Sequence, residues 1–115
     1  YEIGICLVGS EMCIRDRKVG LAEWGRVQER DAVDYLHAAA EVFDLIMADP
    51  PYASNSSRDF ASELMRDPSL PERLSDGGMV VIEVESNREE MEAPGWQMID
   101  CRTYGRSSIL FYARE

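Results

Sequence analysis

Side chains that bind metals or form cross-links are scarce. The 115-residue sequence has one histidine, His37, and three cysteines, Cys6, Cys13 and Cys101. An odd number of cysteines without metal-ligand spacing argues against a disulfide framework or a metal site, so no metal is expected. Cysteines used this way point to a reducing compartment, and a cytoplasmic location is expected. His37 has no cysteine or histidine near it in the sequence and reads as a solvated helix residue. No apolar run approaches the ~20 residues that span a bilayer, so no membrane partner is expected. A secretory signal, with its basic start and small-residue cleavage site, is missing too. Positive charge is short: 12 Lys and Arg stand against 22 Asp and Glu, a formal net charge of -10. So acidic a chain is a poor electrostatic partner for nucleic acid, unless basic surface lies elsewhere in a longer protein. There are no repeats or low-complexity tracts, and the length suits one small domain.

Against this background one stretch stands out, Phe43-Asp44-Leu45-Ile46-Met47-Ala48-Asp49-Pro50-Pro51-Tyr52. Val42 to Ala48 is apolar apart from Asp44, as in a strand buried on both faces. Asp49 precedes a proline and is pushed into an extended conformation. Pro50 and Pro51 fix their own φ angles and donate no backbone hydrogen bonds, so the strand stops there. Tyr52 then offers a flat face beside a carboxylate. At ordinary residue usage Asp-Pro-Pro-aromatic arises by accident in roughly one chain in a thousand of this length, which favours a site. The alternative is a strand followed by a proline-rich turn, with Asp49 as turn former.

The arrangement suits an exocyclic amine on a nucleobase. Such an amine is a poor nucleophile, because its lone pair is delocalised into the ring. The Asp49 carboxylate and the Pro50 carbonyl can accept its two N–H bonds and favour a pyramidal nitrogen. Tyr52 can stack on the base, and a methyl donor held in line completes an entropy trap.

Along the rest of the chain, Arg26–Arg30 reads as a strand. Asp31 can cap a helix over Ala32–Ala40. The loop Ala53–Ser57 is small and polar. Asp59 or Arg58 opens a helix that carries Phe60, Leu64 and Met65, and a short helical piece follows around Pro71–Leu74, closed by Asp76-Gly77-Gly78. Met79–Val84 is a second buried strand, ending at Glu85-Ser86. Trp96–Tyr104 and Ser107–Ala113 form a hairpin about Gly105-Arg106. Alternating strands and helices predict an α/β fold: a partial Rossmann-like sheet, mostly parallel, with a C-terminal antiparallel hairpin and helices on both faces.

Asp49-Pro50-Pro51-Tyr52 resembles the signature of class I S-adenosylmethionine-dependent amino-methyltransferases. From Arg26 to Tyr112 the chain is similar to the C-terminal half of the bacterial enzymes that methylate the N2 amine of a guanine in 16S ribosomal RNA. The pieces that carry the likeness are Asp31-Ala32 after a strand, Asp44-Leu45-Ile46 leading into Asp49-Pro50-Pro51-Tyr52, Val84-Glu85-Ser86, and Tyr104-Gly105 before Ser108-Ile109-Leu110-Phe111-Tyr112. The resemblance implies S-adenosylmethionine as cofactor, with Asp31 and Ala32 near its adenine. It implies that Asp49 and Pro50 are catalytic, that Pro51 and Tyr52 hold the target base, and that Glu85 lines the pocket or is a surface carboxylate. The implied partner of the parent enzyme is ribosomal RNA in the small subunit. The same logic serves an adenine or cytosine amine in DNA, and a binding module that keeps the fold without the cofactor is a further alternative.

One part of the pattern is missing. Such enzymes grip the cofactor through a glycine-rich turn after the first strand. Gly4, Gly9, Gly20, Gly25, Gly77, Gly78, Gly95 and Gly105 make no G-x-G turn between a strand and a helix. The expectation is a C-terminal piece of a methyltransferase domain over residues 18–115, inactive alone, with the RNA-binding surface mostly elsewhere. Arg58, Arg102 and Arg106 are then residual phosphate contacts or ordinary solvated side chains. Residues 1–17 resemble a non-native leader translated from adaptor sequence. The alternative is a true strand whose Glu2 or Glu11 binds a ribose. If ordered, Ile3–Val8 is expected to lie loosely or along the exposed edge of Phe43–Ala48.

Overall fold

The computed structural model describes residues 4–7, 25–28, 31–52, 58–88 and 91–115. They fall in two compact units, Tyr1–Ala38 and Ala39–Glu115.

In the first unit β1 (Gly4–Leu7) runs parallel to β2 (Gly25–Gln28), with Gly4 opposite Gly25 and Leu7 opposite Gln28. The expected strand near Ile3–Val8 therefore exists, but its partner is β2 and not Phe43–Ala48. Glu2 and Glu11 lie outside the described residues. Helix α1 (Ala32–Ala38) follows, ending short of the expected Ala40. Asp31 caps it: Oδ1 accepts from the Val33 amide at 2.9 Å and the Asp34 amide at 3.1 Å. Tyr35 and Leu36 are buried and His37 is exposed in the last turn.

The second unit contains β3 (Phe43–Ala48), α2 (Phe60–Arg66), α3 (Ser69–Glu72), β4 (Leu74–Glu85), β5 (Trp96–Tyr104) and β6 (Ser107–Arg114). Its four strands stand in the order β3-β4-β6-β5. β3 and β4 are parallel, joined through the two helices as a parallel pair requires. β4–β6 and β6–β5 are antiparallel. The α/β class is as expected, but the pairing is mixed rather than mostly parallel. The physical reason is connection length: β5 and β6 are joined by a two-residue turn, and the described residues between β4 and β5 hold no helix to carry the chain back across the sheet. Gly105 turns the β5–β6 hairpin with a φ of 60°, which a hairpin turn matched to strand twist needs.

Alternation sets the core. Val80, Ile82 and Val84 of β4 and Ser108, Leu110 and Tyr112 of β6 are buried, with Ala61 and Met65 of α2 and Leu70 of α3. β3 ends this sheet, in keeping with the expected exposed edge, but Leu45 and Met47 are 53% and 72% exposed, so it is not buried on both faces as its apolar run suggests.

β4 also starts earlier than Met79. Phe43 pairs with Leu74 and Leu45 with Met79, so β4 carries a bulge between them. Gly77 accommodates it with a φ of 79°. A Cβ on Gly78 would sit 2.7 Å from Leu74 Cδ1 and 3.0 Å from the Asp44 carbonyl oxygen. Gly78→Ala is expected to cost about 1–3 kcal/mol in denaturant unfolding, the usual penalty of overpacking. An unchanged midpoint would show that Leu74 moves aside freely. Arg114 pins the same region, donating to the Pro71 carbonyl at 2.9 Å and to Asp76 at 2.8 Å.

Candidate active site

β3 and β4 are parallel, so their carboxyl ends open on the same side, where ligands of open α/β sheets bind. The proline pair stops β3 there. Pro50, Pro51 and Tyr52 line a small cleft with Glu83, Val84 and Glu85 of β4, Ala61 of α2, and Arg88 of the turn after β4. Four of the expected site residues, Pro50, Pro51, Tyr52 and Glu85, thus line one cleft, and Asp49 precedes them at the end of β3. Asp31 and Ala32 are exposed at the start of the first unit's α1, and one Asp31 oxygen is taken up in capping.

Three features were not foreseen. The first is a second carboxylate. Glu83 follows Ile82, the β4 partner of Ala48, just as Asp49 follows Ala48, and it is close enough to act on the Asp49 carboxyl. Asp49 is exposed, but partial desolvation and then the neighbouring Glu83 carboxyl raise its carboxyl above the ordinary range. The second is a hydrogen bond between the hydroxyls of Tyr52 and Ser107, 2.5 Å apart, which fixes the tyrosine against β6. The hydroxyl of Tyr52 therefore orients the ring. The third is a bidentate ion pair in which Arg88 donates to Asp59 Oδ1 at 3.0 Å and Oδ2 at 2.8 Å. Asp59 also caps α2, accepting from the Ser62 amide at 3.3 Å and the Ser62 hydroxyl at 2.8 Å. The clamp ties the turn after β4 to the start of α2, on the rim of the cleft.

Arg88, with further help from Ser62, holds the Asp59 carboxyl down at about 2. A depressed carboxyl stabilises the fold above its ordinary value and loses that contribution as pH falls through about 2. Arg88→Met is expected to lower stability near neutral pH by about 1 kcal/mol, discounted because Asp59 is partly open to solvent. The difference from wild type should shrink steadily in melts taken from about pH 4 down to about pH 2; a constant difference would mean lost packing, not lost charge pairing.

Two of the arginines weighed as phosphate contacts have intramolecular partners. Arg58 bonds Glu63 at 3.0 Å and lies over the Phe60 ring, and Arg102 bonds Asp100 at 3.0 Å. Arg106 is exposed. Among the described residues there is no group of three or more His, Cys, Asp or Glu that could hold a metal ion, and no helix is long and apolar enough to cross a membrane.

A family profile described as conserved hypothetical protein 95 matches residues 14–113. The chain belongs to this family. No curated protein matches the sequence of this conserved hypothetical protein 95 member. Solved structures do match its fold. A conserved hypothetical protein of Streptococcus pyogenes superposes with a TM-score of 0.72 at 20% identity, over 96% of this chain and 71% of that one. The protein yhhF of Escherichia coli, provisionally described as a methyltransferase, gives 0.67 at 22% identity, over 92% of this chain and 57% of that one. A ribosomal protein L11 methylase from Lactobacillus delbrueckii subsp. bulgaricus gives 0.66 at 18% identity, over 96% and 57%. The fold of this family member is thus one found among methyltransferases, and the chain spans little more than half the length of the last two.

Proposed function

We propose that the parent protein transfers a methyl group from S-adenosylmethionine to the N2 amine of a guanine in small-subunit ribosomal RNA. The observation that carries this reading is the convergence of Asp49, Pro50 and Tyr52 at the carboxyl end of β3, with Tyr52 held by Ser107. The other pieces of the resemblance support it by their places. Val84-Glu85-Ser86 closes β4 onto the cleft, Tyr104-Gly105 enters the hairpin turn, and Ser108–Tyr112 lies in β6.

The residues fit the cofactor in part. Asp31 and Ala32 stand exposed after β2 and are the residues that would hold its adenine side. Among the described glycines none lies between a strand and a helix, and Gly9 and Gly20 fall outside the described residues. When bound, S-adenosylmethionine supplies an electrophilic methyl group. The protein's own work is at the amine. Asp49 and the Pro50 carbonyl accept the two N–H bonds and turn the nitrogen lone pair toward its target, Tyr52 stacks on the base, and the Asp49 carboxylate takes the proton that the nitrogen sheds.

The test is a labelled-methyl assay on unmodified small subunits with the product of the complete reading frame, beside the 115-residue chain. Nucleoside analysis should show N2-methylguanosine. Label on an adenine or cytosine amine would move the reading to another base, and label on protein would overturn it.

A further inference from the structure

We propose that Tyr104 is a second stacking surface beside the cleft: it receives the nucleotide that adjoins the target base in single-stranded RNA, and Arg106 holds the phosphate between the two. This rests on the reading that Tyr52 stacks on the target base, and adds to it a subsite on β5, two strands away from β4. Tyr104 is 65% exposed at the last position of β5, and Arg106 is exposed in the turn that follows. Strand register ties both to the cleft. Ser107 of β6 pairs with Glu85 of β4 on one side and with Tyr104 on the other. Directly paired residues put their side chains on the same face of a sheet, with Cβ atoms about 4.5–5.5 Å apart. The Ser107 side chain faces Tyr52, since their hydroxyls bond. Tyr104 therefore rises on the face where Tyr52 meets Ser107, one strand further out.

The turn that carries this surface is fixed to the rim of the cleft. The Ser86 amide, just past β4, donates to the Arg106 carbonyl at 2.8 Å, and the Ser86 hydroxyl donates to the Gly105 carbonyl at 3.0 Å. A surface held this way needs little ordering when a ligand arrives. The occupant follows from the chemistry around the ring. Every base has a π-face that an exposed aromatic ring can meet. Arg102, two residues before Tyr104, is already paired with Asp100, whereas Arg106 has no ion-pair partner among the described residues. Glu85, across Ser107 from Tyr104, repels a phosphate, so the sugar–phosphate chain is expected on the Arg106 side. At a net charge of -10, attraction for nucleic acid cannot come from the chain as a whole. One stacking ring with one local cation suits a short unpaired segment, whose bases can be splayed onto aromatic side chains.

The experiment is NMR titration of the 115-residue chain with three probes: guanosine, the trinucleotide UpGpU, and UpIpU, whose inosine lacks the N2 amine. In wild type, UpGpU should bind about tenfold tighter than guanosine, the worth of one more stacked base, and should shift the ring signals of Tyr104. Tyr104→Ala should bring UpGpU down to the affinity of guanosine and leave guanosine itself unchanged. Tyr104→Phe should keep the tenfold gain, because the ring is what stacks. Arg106→Gln should weaken UpGpU and flatten its log–log salt dependence by about 0.7, the slope of one phosphate contact on a single strand. UpGpU binding no tighter than guanosine in wild type, or indifferent to Tyr104→Ala, would overturn the proposal and leave the amine reading standing. Equal binding of UpGpU and UpIpU, with the dependence on Tyr104 intact, would keep the subsite and overturn the amine reading. Binding of none of the probes would overturn both.

Discussion

Asp49→Ala should lower methyl transfer by the product of the complete reading frame on the order of 100-fold or more, the scale of one lost transition-state contact. Cofactor affinity should change little, because the proposed function gives Asp49 to the base and Asp31 and Ala32 to the cofactor. Asp49→Asn is the sharper variant. It keeps the shape and an acceptor oxygen but cannot take a proton. If Asp49→Asn retains full turnover, hydrogen-bond acceptance is enough and proton uptake by Asp49 is wrong. If Asp49→Ala raises the KM for the cofactor and leaves kcat intact, the carboxylate belongs to the cofactor and the base-side assignment fails.

The second large effect is expected at Tyr52. Tyr52→Ala should weaken substrate binding by about 1–3 kcal/mol, the worth of stacking one base. The sequence alone suggests that Tyr52→Phe is mild, since the ring is what stacks. The bond to Ser107 refines that expectation. Tyr52→Phe and Ser107→Ala should produce the same small loss, because each removes one half of the same hydroxyl pair, and the double variant should be no worse than either alone. Steady-state KM values for the four proteins decide it. Tyr52→Phe as damaging as Tyr52→Ala would mean that the hydroxyl, not the ring, meets the substrate.

β3 was legible to the residue, Phe43–Ala48, because an apolar run stopped by two prolines has nowhere else to end. Its exposed edge was expected from the missing first strand, but the exposure of Leu45 and Met47 was not, since apolar side chains read alike whether or not a layer covers them. The start of β4 was missed for a related reason. Gly77-Gly78 looks like a stop, but Gly77 absorbs a bulge and the pairing resumes at Leu74. In the site, Asp49 to Tyr52 announced themselves by composition. Glu83 was hidden inside an apolar alternation, although its spacing of two from Glu85 puts both on one face of the strand. The Arg88–Asp59 clamp and the Tyr52–Ser107 pair join residues 29 and 55 positions apart, and local pattern holds no record of such contacts.

The central claim is that the cleft at the ends of β3 and β4 presents an exocyclic amine for methylation. Mass analysis of nucleosides from small subunits treated with labelled S-adenosylmethionine, using wild type and Asp49→Ala from the complete reading frame, tests it most directly. The account predicts N2-methylguanosine with wild type and a loss of about 100-fold with the variant. Methylation at a ring carbon or a ribose oxygen, or a yield indifferent to Asp49, would contradict it.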